Sequence, residues 1–97
     1  MATYIGLINW TQQGVQNARD TLDRAAQARA LVESMGGRMD TLYWTQGRYD
    51  IVAIIEAPDD ETLAAMLLRV AGGGAVRSET MRAFDDAAMR RIVEKLG

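Results

Sequence analysis

The spacing of apolar residues changes several times along the chain, and each change marks a predicted element. Residues 3–10 hold β-favouring and apolar side chains on both alternating faces, which predicts a first strand covered on both sides. Near-helical spacing of six apolar residues then predicts one long helix that ends at about residue 35: Val15, Ala18, Leu22, Ala25, Val32 and Met35. Gly36 and Gly37 follow, and glycine adopts the left-handed conformation that ends helices.

The second half of the chain carries two further strands, a helix, a fourth strand and a final helix. Residues 38–44 and 49–56 are predicted strands, and the short turn at residues 45–48 makes them an antiparallel hairpin. Asp59 is a predicted cap for a helix with the apolar stripe Leu63, Met66, Leu67 and Val70, which stops at residues 72–74. Residues 75–84 form the predicted fourth strand, and a short C-terminal helix opens at residues 85–86.

This order predicts an α+β fold in a single domain that spans residues 1–97. Two split β-α-β units in series give the ferredoxin-like βαββαβ arrangement, a four-stranded antiparallel sheet with helices on one face, here followed by a C-terminal helix. The other face of the sheet is left open, and either choice of alternating residues on the hairpin strands makes it apolar. We therefore expect two subunits to pair their sheets in a homodimer, a dimeric α+β barrel.

Composition removes several classes of function. The 97 residues carry a net charge of −2 and contain no cysteine and no histidine, so thiol chemistry, disulfides and the commonest metal ligand are excluded. We expect no metal and no cofactor. No basic run indicates nucleic acid or an anionic membrane as a partner, and no apolar run approaches the about 20 residues of a membrane span. The start of the chain does not resemble a signal peptide, which favours a cytoplasmic protein.

The run Gly47-Arg48-Tyr49-Asp50 resembles the Gly-x-Tyr-Asp signature of the GYD-domain family of small bacterial proteins. Residues 56–60 and 76–84 are similar to that family's segments after the signature strand and in its last strand. The resemblance implies a ferredoxin-like fold related to the dimeric α+β barrels. That wider group includes cofactor-free monooxygenases, haem-handling enzymes, isomerases of ring compounds and ligand binders, so the resemblance implies no single activity.

Three residues are candidates for catalysis: Tyr49, Asp50 and Asn9. Tyr49 can donate a hydrogen bond and Asp50 can act as a base or orient a ligand. Asn9 resembles, by residue type and strand, the asparagine that some cofactor-free barrel oxygenases place beside the substrate. The structural alternative is that Asp50 accepts hydrogen bonds from backbone N–H groups at the hairpin end, while Tyr49 packs against the first helix.

A small-molecule pocket is typically walled by aromatic side chains with a few polar groups. The predicted ligand-binding residues are Trp10, Tyr43, Trp44, Tyr49, Asp50 and Arg82. Arg82 is included because its planar guanidinium can hold an anionic ligand. The alternative interpretations are core packing for the aromatic residues and surface ion pairing for the arginine.

Three functions remain open at this point. The first is a homodimeric barrel that binds a small hydrophobic or aromatic molecule in each subunit. The second is a cofactor-independent monooxygenase or isomerase that acts on an aromatic ring compound. The third is a structural or interaction protein with a filled barrel. A cavity walled by the candidate residues would support either of the first two.

Overall fold

A computed structural model describes all of residues 1–97. The chain forms four strands, four α-helices and one short 3-10 turn. In chain order these are β1 (Ala2–Trp10), α1 (Gln12–Gln16), the 3-10 turn (Ala18–Asp20), α2 (Thr21–Ser34), β2 (Arg38–Trp44), β3 (Ile51–Ala57), α3 (Asp60–Ala71), β4 (Val76–Ala83) and α4 (Asp86–Glu94).

The four strands form one sheet in the order β2-β3-β1-β4, and every neighbouring pair is antiparallel. This topology confirms the predicted α+β, ferredoxin-like βαββαβ fold with an added C-terminal helix. Helices α2 and α3 pack on one face of the sheet through Val32, Leu63 and Met66. The strand residues beneath them alternate along β3, where every odd-numbered residue from Ile51 to Ala57 is buried.

The first helix was predicted as one segment, and that prediction is wrong. The helical stretch is divided at Asn17, whose side-chain amide donates to the Gln13 carbonyl at 2.9 Å. Asparagine competes with helical hydrogen bonds in this way, which favours a helix end. The break changes the helical phase, so Val15 and Leu22 are exposed, whereas Ala25 and Val32 are buried as expected.

Strand β2 contains a bulge that decides which side chains reach the helices. Arg38 pairs with Glu56, and the register shifts before Thr41 pairs with Ile54. One extra residue in a strand reverses the alternation beyond it. Met39 therefore lies in the core together with the half-buried Leu42, although simple alternation would put these two residues on opposite faces.

Helix α4 differs from the other long helices because none of its residues is buried. Asp85 caps it by accepting from the Ala88 N–H at 2.8 Å. Its side chains Met89 and Val93 are about half exposed, at 48% and 52%, and Leu96 just beyond it is 79% exposed. None of the four helices combines the length and the apolar character needed to cross a lipid bilayer.

Candidate ligand-binding cavity

A cavity of about 260 Å³ lies between the sheet and the two helices α2 and α3. Sixteen of its 22 lining residues are hydrophobic, so its walls suit an apolar molecule. The hydrophobic lining consists of Ile8, Trp10, Ala25, Ala28, Leu31, Val32, Met39, Leu42, Ile51, Ile55, Met66, Leu67, Val70, Ala71, Ala75 and Val76.

Short side chains explain why this space is not filled. On α2 the cavity wall includes Ala25 and Ala28, and at the end of α3 and the start of β4 it includes Ala71, Gly73 and Ala75. Each of these positions ends at or before Cβ, so the two helices and the sheet leave room between their larger side chains. The larger residues Met66 and Ile55 then close the inner end against the core.

The polar part of the lining is cationic or neutral. It includes the guanidinium side chains of Arg24 and Arg69, together with Thr21, Gln27 and Ser78. No aspartate or glutamate lines the cavity, although the chain contains 13 acidic residues and has a net charge of −2. The electrostatic character of the cavity is therefore opposite to that of the whole chain.

Trp44 fixes the orientation of one polar group at the cavity. Its indole Nε1–H donates to the Thr21 Oγ1 at 2.9 Å. This bond joins β2 to the first turn of α2 beside the cavity. Because the Thr21 oxygen accepts this hydrogen bond, its own hydroxyl proton is available to donate to another group.

Of the six predicted ligand-binding residues, Trp10 is the one that lines the cavity. Its backbone N–H donates to the Asp50 Oδ2 at 2.9 Å, and the Asp50 N–H donates to the Ile8 carbonyl at 2.9 Å. Asp50 thus ties the end of the β2–β3 hairpin to the end of β1. This is the backbone-acceptor role that the sequence left open, and a direct ligand role for Asp50 stays a prediction.

Tyr49 reaches across the open side of the sheet rather than towards a helix. Its hydroxyl donates to the Glu79 Oε2 on β4 at 2.9 Å, and this hydrogen bond raises the pKa of Tyr49. Asn9 lies at the same end of the sheet, paired with Arg77. The three candidate catalytic residues therefore gather near the end of β1, but none of them lines the cavity.

Tyr43 and Arg82 lie away from the cavity. Tyr43 pairs with Val52 on the open face and is 66% exposed. Arg82 donates to the Thr3 carbonyl at 3.1 Å, and its guanidinium lies 4.7 Å from the ring centroid of Phe84. Trp10 and Tyr43 lie on opposite faces of the sheet, so Trp10 lines this cavity and Tyr43 does not; a ligand contact for Tyr43 stays a prediction.

Arg24 is the cavity residue that sequence reasoning missed. Arg24 stands four residues after Asp20, a spacing typical of solvated ion pairs on a helix, yet the two side chains form no salt bridge. The signal was present in the sequence: Arg24 stands four residues before Ala28 and seven before Leu31, on the same side of the helix. An arginine on an apolar helical stripe either extends its charged head to water or meets a cavity or a buried partner.

The start of α3 is held against β1 by a buried phenol. Tyr4 is 3% exposed and its hydroxyl donates to Asp60, a bond that together with burial raises the pKa of Tyr4. The preceding residue, Asp59, accepts from the Thr62 N–H at 2.7 Å, which confirms it as the helix cap and lowers the pKa of its carboxyl. These contacts fix the helix that forms one wall of the cavity.

Comparison with known proteins agrees with this architecture. The crystal structure of TTHA0845 from Thermus thermophilus is similar, with a TM-score of 0.57 and 23% identity over 88% of this chain and 95% of that chain. A protein of the same organism, named glutamine synthetase and cystathionine beta-lyase binding protein, is 31% identical over 85 residues, 87% of this chain and 90% of its own length. The GYD domain profile matches residues 4–93. The chain belongs to the GYD-domain family.

Proposed function

We propose that this protein binds a small apolar molecule in the cavity between α2, α3 and the sheet. The observation that carries the proposal is an apolar cavity of about 260 Å³ inside a domain of only 97 residues. Ligand pockets for drug-sized molecules usually measure about 300–1,000 Å³, so the ligand here is a small one.

Binding, rather than turnover, is the function that the lining supports. General acid-base catalysis needs a titratable side chain within hydrogen-bond reach of the ligand. The cavity lining contains no carboxylate and no phenol; outside it, the Tyr49 hydroxyl is bonded to Glu79, and one carboxylate oxygen of Asp50 accepts from the backbone of β1. The polar groups that do line it are suited to orienting a ligand.

Native mass spectrometry of freshly purified protein tests the proposal. We expect a subunit with a defined extra mass, and we expect Ala28→Phe to lose it because the new ring fills the cavity. Ala26→Phe is the matched control, since Ala26 is exposed on the same helix and does not line the cavity. Loss of the mass in both variants, or retention in both, would contradict the cavity as the binding site.

We further propose that two subunits pair through the open sheet face as a homodimeric barrel. Two neighbouring cross-strand rows on this face are mainly apolar: Tyr43–Val52–Leu7–Glu79 and Thr41–Ile54–Ile5–Met81. Charged groups flank them, with Arg38, Asp40 and Glu56 at one end and Arg77 at the other. An apolar centre with a polar rim is typical of a protein interface.

A second candidate function is binding of a protein partner through α4. The Thermus thermophilus relative is named for binding glutamine synthetase and cystathionine beta-lyase. The observation that favours this role here is an exposed apolar stripe formed by Met89 and Val93 on α4 and by Leu96 just beyond its end, at helical spacing. An amphipathic helix with one uncovered apolar face can dock into a groove of another protein.

Binding of purified glutamine synthetase and cystathionine beta-lyase of Thermus thermophilus, measured by biolayer interferometry, tests this second candidate. We expect Val93→Glu to weaken binding at least about tenfold, because burying an unpaired carboxylate costs well over about 1.4 kcal/mol. Ala87→Glu adds the same charge at an exposed position away from the stripe and is expected to bind like the unmodified protein. Equal binding by all three proteins would rule out α4 as the contact.

A further inference from the structure

One side chain that lines the cavity, Arg24, has a buried hydrogen-bond donor without an acceptor. The Nε of Arg24 is buried and has no hydrogen-bond partner. The Arg24 side chain also takes part in none of the salt bridges of the chain, and Asp20, one turn earlier, does not pair with it. Leaving a buried donor of a charged group unpaired costs free energy. A ligand that places a hydrogen-bond acceptor at this nitrogen would therefore bind favourably.

The neighbouring groups define the chemistry of that partner. Thr21 precedes Arg24 by three residues on α2, so both side chains project on the same side of the helix towards the cavity. The Thr21 oxygen accepts from Trp44, which leaves its hydroxyl proton free to donate. A guanidinium and a hydroxyl donor together match the two oxygens of a carboxylate.

The other residues that line the cavity also favour a ligand with a carboxylate. Arg69, on the opposite helix, adds a second positive charge, and no acidic side chain lines the cavity to neutralise either arginine. Beyond these polar groups the walls are apolar and include Val32, Ile55 and Met66. A ligand that satisfies both regions has an anionic head and a short hydrocarbon or aromatic tail.

We infer that the cavity selects a small apolar monocarboxylic acid, with its carboxylate on Arg24 and Thr21 and its tail towards Met66. This inference rests on the proposed function, because it specifies the ligand class of the same cavity. Hydrogen bonds to a charged group in a partly buried site contribute about 1.5–3 kcal/mol, which corresponds to an affinity difference of about ten- to hundredfold between an acid and its neutral amide.

The test compares octanoate with octanamide, at neutral pH, by tryptophan fluorescence titration. Trp10 lines the cavity and Trp44 contacts Thr21, so the emission reports on its occupancy. We expect the unmodified protein to bind octanoate about ten- to hundredfold more tightly than octanamide. Arg24→Met, which keeps an unbranched apolar stem but removes the guanidinium, is expected to lose this preference and to bind both compounds alike.

Arg19→Met is the matched control, because Arg19 is exposed in the 3-10 turn and does not line the cavity. It is expected to keep the preference for octanoate. Equal affinity of the unmodified protein for acid and amide would overturn the carboxylate inference while leaving the binding function in place. A preference that survives Arg24→Met would overturn the role of Arg24. Absence of binding by both compounds, and by 4-phenylbutanoate and its amide, would count against the proposed function itself.

Discussion

Substitution of Met66 by alanine is expected to lower the free energy of unfolding by about 2–5 kcal/mol. Met66 is 1% exposed and lies in the core with Val32 and Ile55. Its terminal methyl also lies against Gly37, where an added Cβ would come within 2.9 Å of it. Truncation removes these contacts, and the resulting void joins the existing cavity instead of being filled by neighbouring atoms.

Urea denaturation followed by far-UV circular dichroism measures this loss. The protein concentration must be kept constant, because subunit association would add to the apparent stability. Met89→Ala is the control, since Met89 on α4 is 48% exposed and its truncation should change the free energy of unfolding by less than about 0.5 kcal/mol. A loss below about 1 kcal/mol for Met66→Ala would show that the core closes around the deleted side chain.

Substitution of Ile54 by lysine is expected to convert the proposed dimer to monomers. Ile54 stands between Thr41 and Ile5 in the centre of the open face. A central interface position contributes about 2 kcal/mol or more, and a two-fold dimer contains the substitution twice, so the dissociation constant should rise about a thousandfold. The subunit itself should stay folded, because this side chain points away from the core.

Sedimentation equilibrium at micromolar concentration distinguishes the two states. Leu68→Lys provides the comparison: it places the same charge on an apolar residue that is 75% exposed on the outer side of α3. We expect this variant to remain dimeric. A monomeric unmodified protein would contradict pairing through the open face, as would an Ile54→Lys variant that stays dimeric while its circular dichroism spectrum is unchanged.

The fold could be predicted well from the sequence because local signals and tertiary packing agree. Asp59 and Asp85 cap α3 and α4, the two helices that were predicted to begin at these aspartates. Gly47, in the predicted turn, has a positive φ of 111°, which favours glycine. The four-stranded antiparallel sheet followed from the βαββαβ element order. The predicted elements differ from the structure where a single residue interrupts a regular spacing. Asn17 divides the predicted first helix, and the bulge in β2 reverses which side chains face the helices, with no residue in the sequence to indicate it.

The candidate site was harder to predict because it depends on the space left between packed elements rather than on a sequence motif. The signature residues Tyr49 and Asp50 were the natural candidates, yet neither lines the cavity: the Tyr49 hydroxyl is bonded to Glu79, and Asp50 Oδ2 accepts from the Trp10 backbone N–H. The cavity instead arises from small residues on α2 and α3, two helices that are far apart in the sequence; Ala28 and Ala71 are examples. Spacing along one helix marks Arg24 as unusual, but only the packing of α2 over the sheet shows that its Nε is enclosed.

The space between the helices and the sheet is proposed to bind a small apolar molecule. Methyl NMR of ¹³C-methionine-labelled protein tests it most directly, because Met39 and Met66 line the cavity whereas Met81 and Met89 lie outside it. Addition of octanoate is expected to shift the Met39 and Met66 methyl signals and to leave those of Met81 and Met89 in place. Shifts confined to Met81 or Met89, or unchanged spectra with octanoate, octanamide and 4-phenylbutanoate alike, would contradict a ligand in this cavity.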